Sequence, residues 1–224
     1  MFDDRSHAGR VLAGLVAREV QDSQLVVLAL PRGGVPVGLE VAKRVKSVTD
    51  FDVFVVRKLG VPHREELAFG AIATGGVRVL NHSIVEQLRL PEETIERVAQ
   101  QEHFELQRRE QMYRKGHAPT ALRDRTIILV DDGLATGASM IAAVRAARMQ
   151  QPNRIVVAVP VASTQAVEDL RTVADLVICA ETHEAFYAVG YWYRDFDQVS
   201  DAEVRDLLNR FGAAVPGRQP AGNA

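Results

Sequence analysis

Thr126-Ile127-Ile128-Leu129-Val130-Asp131-Asp132-Gly133-Leu134-Ala135-Thr136-Gly137-Ala138-Ser139 is the stretch that decides the fold of this chain. It opens as a continuous apolar run, the pattern of a parallel strand buried on both faces. Two adjacent carboxylates stand where that strand should end. A loop of small residues follows, then a helical pattern from Met140 to about Gln150. In open α/β sheets, ligands bind beyond the carboxyl ends of the strands. A small-residue loop entering a helix N-terminus offers free N–H groups and a positive dipole end, which suits a phosphate. The hydroxyls of Thr136 and Ser139 can donate as well. Neighbouring carboxylates repel each other unless cations or donors meet them, and ribose hydroxyls are such donors. The local chemistry therefore reads as acids on a sugar and a loop on its 5-phosphate. The competing reading is a plain strand-turn-helix whose acids cap the helix. It gives the paired acids and the Thr-Gly-x-Ser run no task.

Outward from this stretch, strand and helix signals alternate. Leu25–Leu30 and Phe51–Val56 read as short strands, as do Ile155–Val161 and Leu176–Ala180. Helical spacing runs over Asp4–Val20, Gly34–Val45 and Thr164–Val173. Pro91–Lys115 reads as one long helix, with Glu92, Glu93 and Glu96 near its start and Arg114 and Lys115 near its end, matching the dipole. Ser200 with Glu203 makes a capping box for a last helix to Phe211. Ala68–Leu80 has β-type composition broken by Gly70 and Gly75-Gly76, which predicts a hairpin or a mobile flap.

Composition allows a full core: 224 residues, 47% hydrophobic and 25% charged, suit one α/β domain with a small appendage. A net charge of −2 leaves no electrostatic footprint for nucleic acid or an anionic membrane. No apolar run reaches membrane-span length, and the N-terminus has no signal-peptide h-region. Cys179 is the single cysteine, so no internal disulfide can form and a reducing cytoplasm is expected. Histidines 7, 63, 82, 103, 117 and 183 show no ligand spacing for a structural zinc. GxxxxGK[ST], GxGxxG and GxSxG are all absent.

Val130–Ser139 resembles the phosphoribosyl pyrophosphate signature of type I phosphoribosyltransferases, in which a hydrophobic strand runs into two acids and a Thr/Gly-rich loop. The resemblance implies a Rossmann-like parallel sheet flanked by helices, with a small hood built from the terminal segments. It divides the chain into a core over 21–180, with a flexible loop at 60–80 and the long helix at 91–115. The hood would be 1–20 and 181–212, and 213–224, rich in Pro, Gly and Ala, would be a disordered tail. Asp131 and Asp132 would meet the ribose, with Gly133, Leu134, Ala135, Thr136, Gly137, Ala138 and Ser139 around the 5-phosphate.

Leu28-Ala29-Leu30-Pro31-Arg32-Gly33-Gly34 resembles the family's pyrophosphate loop, which often contains an unusual cis peptide. Arg32 would add charge-assisted bonds to the pyrophosphate, beside Gly33 and Gly34. Taken alone, Pro-Arg-Gly-Gly could be an ordinary tight turn. Arg57 and Lys58, expected to close the second strand, would neutralise pyrophosphate as well; the alternative is a pair of solvated surface charges. Asp131, Asp132, Arg32 and Lys58 are thus the expected catalytic set.

Ala180–Phe196 holds three of the four tyrosines and the only tryptophan. Flat aromatic faces stack on heterocycles, so Tyr187, Tyr191 and Trp192 are candidates for an acceptor wall, with core packing as the competing role. Hypoxanthine-guanine members carry a further acid where Ala135 stands, for the purine N7. Its absence leaves the acceptor open.

The implied activity is transfer of ribose 5-phosphate from phosphoribosyl pyrophosphate to a nitrogen acceptor, with Mg²⁺ as cofactor and its direct ligands unassigned. The alternative is a non-catalytic regulator binding the same donor or a nucleotide. A phosphatase with Asp131 as nucleophile would need an acid two residues on, and Gly133 is there instead. The expected partners are these small molecules, with a homodimer allowed, and neither nucleic acid nor membrane.

Overall fold

The computed structural model describes residues 1–114 and 118–214. Its centre is a five-stranded parallel sheet in the order β2-β1-β6-β7-β8. The strands are β1 (Leu25–Ala29), β2 (Val48–Val53), β6 (Thr126–Val130), β7 (Arg154–Ser163) and β8 (Leu176–His183). Every residue of β1 and β6 is buried, as continuous apolar runs require when helices cover both faces. One face packs against α1 (Arg5–Glu19), α2 (Gly34–Arg44) and α7 (Asp201–Ala214), and α4 (Glu92–Arg114) joins the same core alongside α7. The other packs against α5 (Ala138–Arg148) and α6 (Thr164–Arg171).

Helix ends follow the capping signals. Asp4 caps α1 by accepting from the His7 N–H at 2.6 Å, and Ser200 accepts from the Glu203 N–H at 3.2 Å. A short helix α3 (His82–Gln87), capped by Asn81, was not foreseen. The predicted tail overlaps the end of α7; residues 215–224, like Lys115, lie outside the described residues. Among the described residues no helix is long and apolar enough to cross a membrane.

The main correction concerns residues 51–61, ahead of the hairpin expected over Ala68–Leu80, which is present. The predicted strand Phe51–Val56 ends at Val53, where the Phe54 N–H closes on the Ala29 carbonyl at 2.9 Å. The chain then starts a second sheet, antiparallel, of β3 (Val56–Val61), β4 (Arg64–Ala73) and β5 (Val77–Leu80). The apolar run hides this crossing because Phe54 and Val55 are buried too, so hydrophobicity never drops. The hairpin turn falls at Thr74-Gly75-Gly76, with both glycines at positive φ.

A buried ion pair ties α4 to the sheet. Arg114 spans both carboxylate oxygens of Asp52 at 3.1 Å and donates to the Val53 carbonyl at 2.6 Å. Asp52 also accepts from the N–H groups of Val53 and Thr120, so the charge is desolvated but fully engaged.

Candidate active site

The strand order places the site. From β1 the chain passes through α2 to β2 on one side, and β6 pairs with β1 on the other. The order therefore reverses between β1 and β6, and a crevice opens beyond their carboxyl ends. Both glycine-bearing motifs leave from these two strands. The Leu30 N–H donates to the Val130 carbonyl at 2.8 Å, which brings the loops side by side.

The loops touch through glycine. A Cβ on Gly33 would lie 1.9 Å from Asp132 Oδ2, and one on Gly34 would lie 2.6 Å from the Val130 carbonyl oxygen. No larger residue leaves room for the acid. The Pro31–Arg32 peptide is cis, the feature expected of a pyrophosphate loop. Arg32 is half-buried and has no acidic partner among the described residues, so its charge is available to an anion.

The acids differ. Asp132 accepts from Arg5 Nε at 2.7 Å. Among the described residues, Asp131 accepts only the Asp132 N–H, at 2.9 Å, and meets no cation directly. Burial pushes the Asp131 carboxyl well above the usual carboxylate range, and the charge of Asp132 pushes it further. Burial raises Asp132 as well, while Arg5 pulls it back. Donors or cations arriving with a ligand would favour both ionised forms.

The loop that follows is held by the neighbouring strand. Leu134 forms a bridge with Ala162: its N–H donates to Val161 and its carbonyl accepts from Ser163. Ser163 Oγ donates to the Ala135 carbonyl at 2.7 Å and accepts from the Ala166 N–H at 3.1 Å. Gly137, at φ +69°, turns the chain into α5. Ala135, Thr136, Ala138 and Ser139 are left exposed, with the first N–H groups of α5 unpaired within the helix. Pre-shaped donors at a dipole's positive end form an anion cradle.

Terminal segments meet over this crevice. Phe2 pairs with Tyr193, the Phe2 N–H donates to Trp192, and the Arg194 N–H donates to Phe2. Tyr193 donates its hydroxyl to the Asp132 carbonyl. The 3-10 turn Val189–Trp192 lies against the acid loop, where a Cβ on Gly133 would come 2.5 Å from Val189. Tyr187 and Tyr191 are 87% and 71% exposed, so their faces are open. Trp192 differs: it stacks on His183 at 3.5 Å and lies near Phe186, so packing occupies it.

Arg57 and Lys58 need correcting in position. They sit in β3 of the antiparallel sheet, not at the end of a parallel strand, and as neighbours in a strand they face opposite sides. Arg57 pairs with Glu102 of α4 at 2.7 Å, while Lys58 is exposed. The structure thus brings Asp131, Asp132, Gly33, Gly34 and the 133–139 loop together, but not Arg57 with Lys58. Arg5 was missed, and Tyr193 and Phe196 lie in the aromatic segment Ala180–Phe196 but were given no role of their own. Arg5 carried one signal: a cation in the first turn of a helix opposes the dipole.

A family model described as "Phosphoribosyl transferase domain" matches residues 3–193. A Mycobacterium tuberculosis protein, Rv0571c, whose name as a phosphoribosyl transferase specifies no acceptor, is 46% identical over 210 residues, 94% of this chain. The match takes in 47% of that protein, so the chain spans about half the length of the curated relatives it matches. The crystal structure of TT1426 from Thermus thermophilus superposes with a TM-score of 0.85 at 41% identity, covering 94% of this chain and 99% of that one.

Proposed function

Because the chain belongs to the phosphoribosyl transferase domain family, we propose that it transfers ribose 5-phosphate from phosphoribosyl pyrophosphate to a nitrogen acceptor. One observation carries the reading. Gly33 of the loop after β1 lies directly against the Asp132 carboxylate after β6, so a polyanion loop and an acid pair share one crevice. A ligand filling both would carry hydroxyls at one point and phosphates on either side, as this donor does.

In the reaction, the C1–O bond to pyrophosphate breaks and a C1–N bond forms, the acceptor giving up its proton. Asp131 and Asp132 accept from the ribose hydroxyls and stabilise positive charge growing on the sugar. The Thr136–Ser139 donors grip the 5-phosphate, and Arg32 with the Gly33-Gly34 backbone holds the pyrophosphate. Closure of the β3–β5 sheet over the site would exclude the water that hydrolyses such a sugar cation.

Among the described residues, no three His, Cys, Asp or Glu side chains form a group that could hold an ion. An acid pair without a cage suits Mg²⁺ arriving on the donor's oxygens and keeping much of its water. Facing Asp131 and Asp132, a bound Mg²⁺ would supply charge neutralisation to the pyrophosphate.

For the acceptor, Ala135 offers only a methyl group, and its carbonyl is taken by Ser163. We assign recognition to stacking on Tyr187 and Tyr191, with Trp192 supporting the wall. The test is incubation with donor, Mg²⁺ and a panel of heterocyclic bases, with pyrophosphate measured. Turnover with one base, quenching or enhancing Trp192 fluorescence, supports transfer, with hypoxanthine and guanine poor substrates. Donor binding without turnover on any base overturns it in favour of a non-catalytic binder.

A further inference from the structure

Arg5 sits where a cation is least favoured, in the first turn of α1 beside the positive end of the helix dipole. It is also costly to bury: its side chain and that of Asp132 are 11% and 14% exposed. Among the described residues, three contacts hold it. Nε donates to Asp132 Oδ2 at 2.7 Å, Nη1 donates to the Asp197 carbonyl at 2.8 Å, and the guanidinium lies 3.8 Å above the Phe196 ring. Two of these come from the aromatic segment, which Tyr193 also bonds to the Asp132 backbone. The acid is therefore gripped from both the N-terminal helix and the 193–197 segment.

A carboxylate can accept at about four lone-pair sites, and Arg5 takes one. Its planar fork also fixes the direction of the group it bonds, which a flexible ammonium does not. Asp131 has no such partner among the described residues. We infer that Arg5 is a positioning residue: by clamping one oxygen of Asp132 it fixes the rotamer in which the acid pair reads the ribose hydroxyls of the donor. This rests on the proposed donor. It adds that hydroxyl recognition depends on a residue 127 positions upstream, outside both loops.

The test is calorimetric titration of the full chain, wild type and Arg5→Gln. The ligands are phosphoribosyl pyrophosphate with Mg²⁺, ribose 5-phosphate, its 2-deoxy and 3-deoxy analogues, and pyrophosphate alone. Wild type should prefer ribose 5-phosphate to at least one deoxy analogue by about tenfold or more, as a site built around a hydroxyl does. In Arg5→Gln, donor affinity should fall about tenfold to a hundredfold, and the preference should shrink to within about threefold. Pyrophosphate affinity should hold, since Arg32 is untouched. A merely structural Arg5 would move all ligands together and leave the preference intact, which overturns the inference. If Arg5→Gln does not fold, Arg5→Met, which puts an apolar side chain near Phe196 in place of the guanidinium, carries the same expectations. A wild type that binds none of these ligands overturns the donor assignment itself, an outcome distinct from unaltered selectivity in the variants.

Discussion

Tyr193 donates its hydroxyl to the backbone carbonyl of Asp132, 61 residues earlier in the chain. The bond joins the aromatic segment to the end of β6, the point at which the acid pair leaves the sheet. Burial pushes the Tyr193 phenol well above its ordinary range, so it stays a donor through the working pH range.

Tyr193→Phe should therefore strand a half-buried carbonyl. A cost of about 1–3 kcal/mol is expected, read as a melting temperature lower by roughly 2–4 °C per kcal/mol. An unchanged melting curve would mean that water replaces the hydroxyl.

Asp131→Asn should trade function for stability. The folded-state pKa of Asp131 lies above its unfolded value. The native state thus holds the proton more tightly, and stability falls as pH rises from the unfolded to the folded pKa. Urea melts taken upward from about pH 4 should show stability falling with rising pH in wild type and not in Asp131→Asn. The variant should also lose donor affinity. Parallel pH profiles would show that Asp131 titrates normally.

Gly137→Val should damage the phosphate loop directly. The residue needs φ +69°, which a β-branched side chain resists, and its Cβ would lie 3.2 Å from that of Ala166. About 1–3 kcal/mol of strain is expected. Affinity for ribose 5-phosphate should fall in titration, without any need for pyrophosphate on the ligand. Loss confined to the pyrophosphate-bearing donor would place the 5-phosphate elsewhere.

Arg114→Met should be among the most damaging changes outside the two crevice loops. It leaves Asp52 buried with only N–H donors, at a cost of about 3–5 kcal/mol. Adding Asp52→Asn should recover part of that loss, because the two residues are coupled. Denaturant melts of the three variants decide it; additive losses would deny the coupling.

These features were unequally legible in the sequence. The β6 run and its acids could be read because strand, loop and helix N-terminus are contiguous, so local chemistry carries the information. The same holds for Ser200 as a cap. The β4–β5 hairpin could be read from Ala68–Leu80 and its glycines, but the start of the second sheet was hidden because Phe54-Val55 crosses between sheets without any fall in hydrophobicity. Arg57 and Lys58 were misplaced for the same reason, since their role was tied to the end of β2. Arg5 meets Asp132 only through tertiary structure, and no periodicity relates residues so far apart.

Leu134 has a consequence of its own. An apolar residue in the middle of the phosphate loop is buried and laddered to β7 on both its N–H and its carbonyl. The loop is in effect a half-turn of extra strand, cast when the sheet forms. The entropy of shaping it is spent during folding, and little of a ligand's binding energy goes into ordering it. The mould for the proposed donor is thus inherited from the sheet, whereas the exposed tyrosines sit on a separate segment. Exchanging those rings could retarget the site to another acceptor while its hold on the sugar phosphate stays as it was.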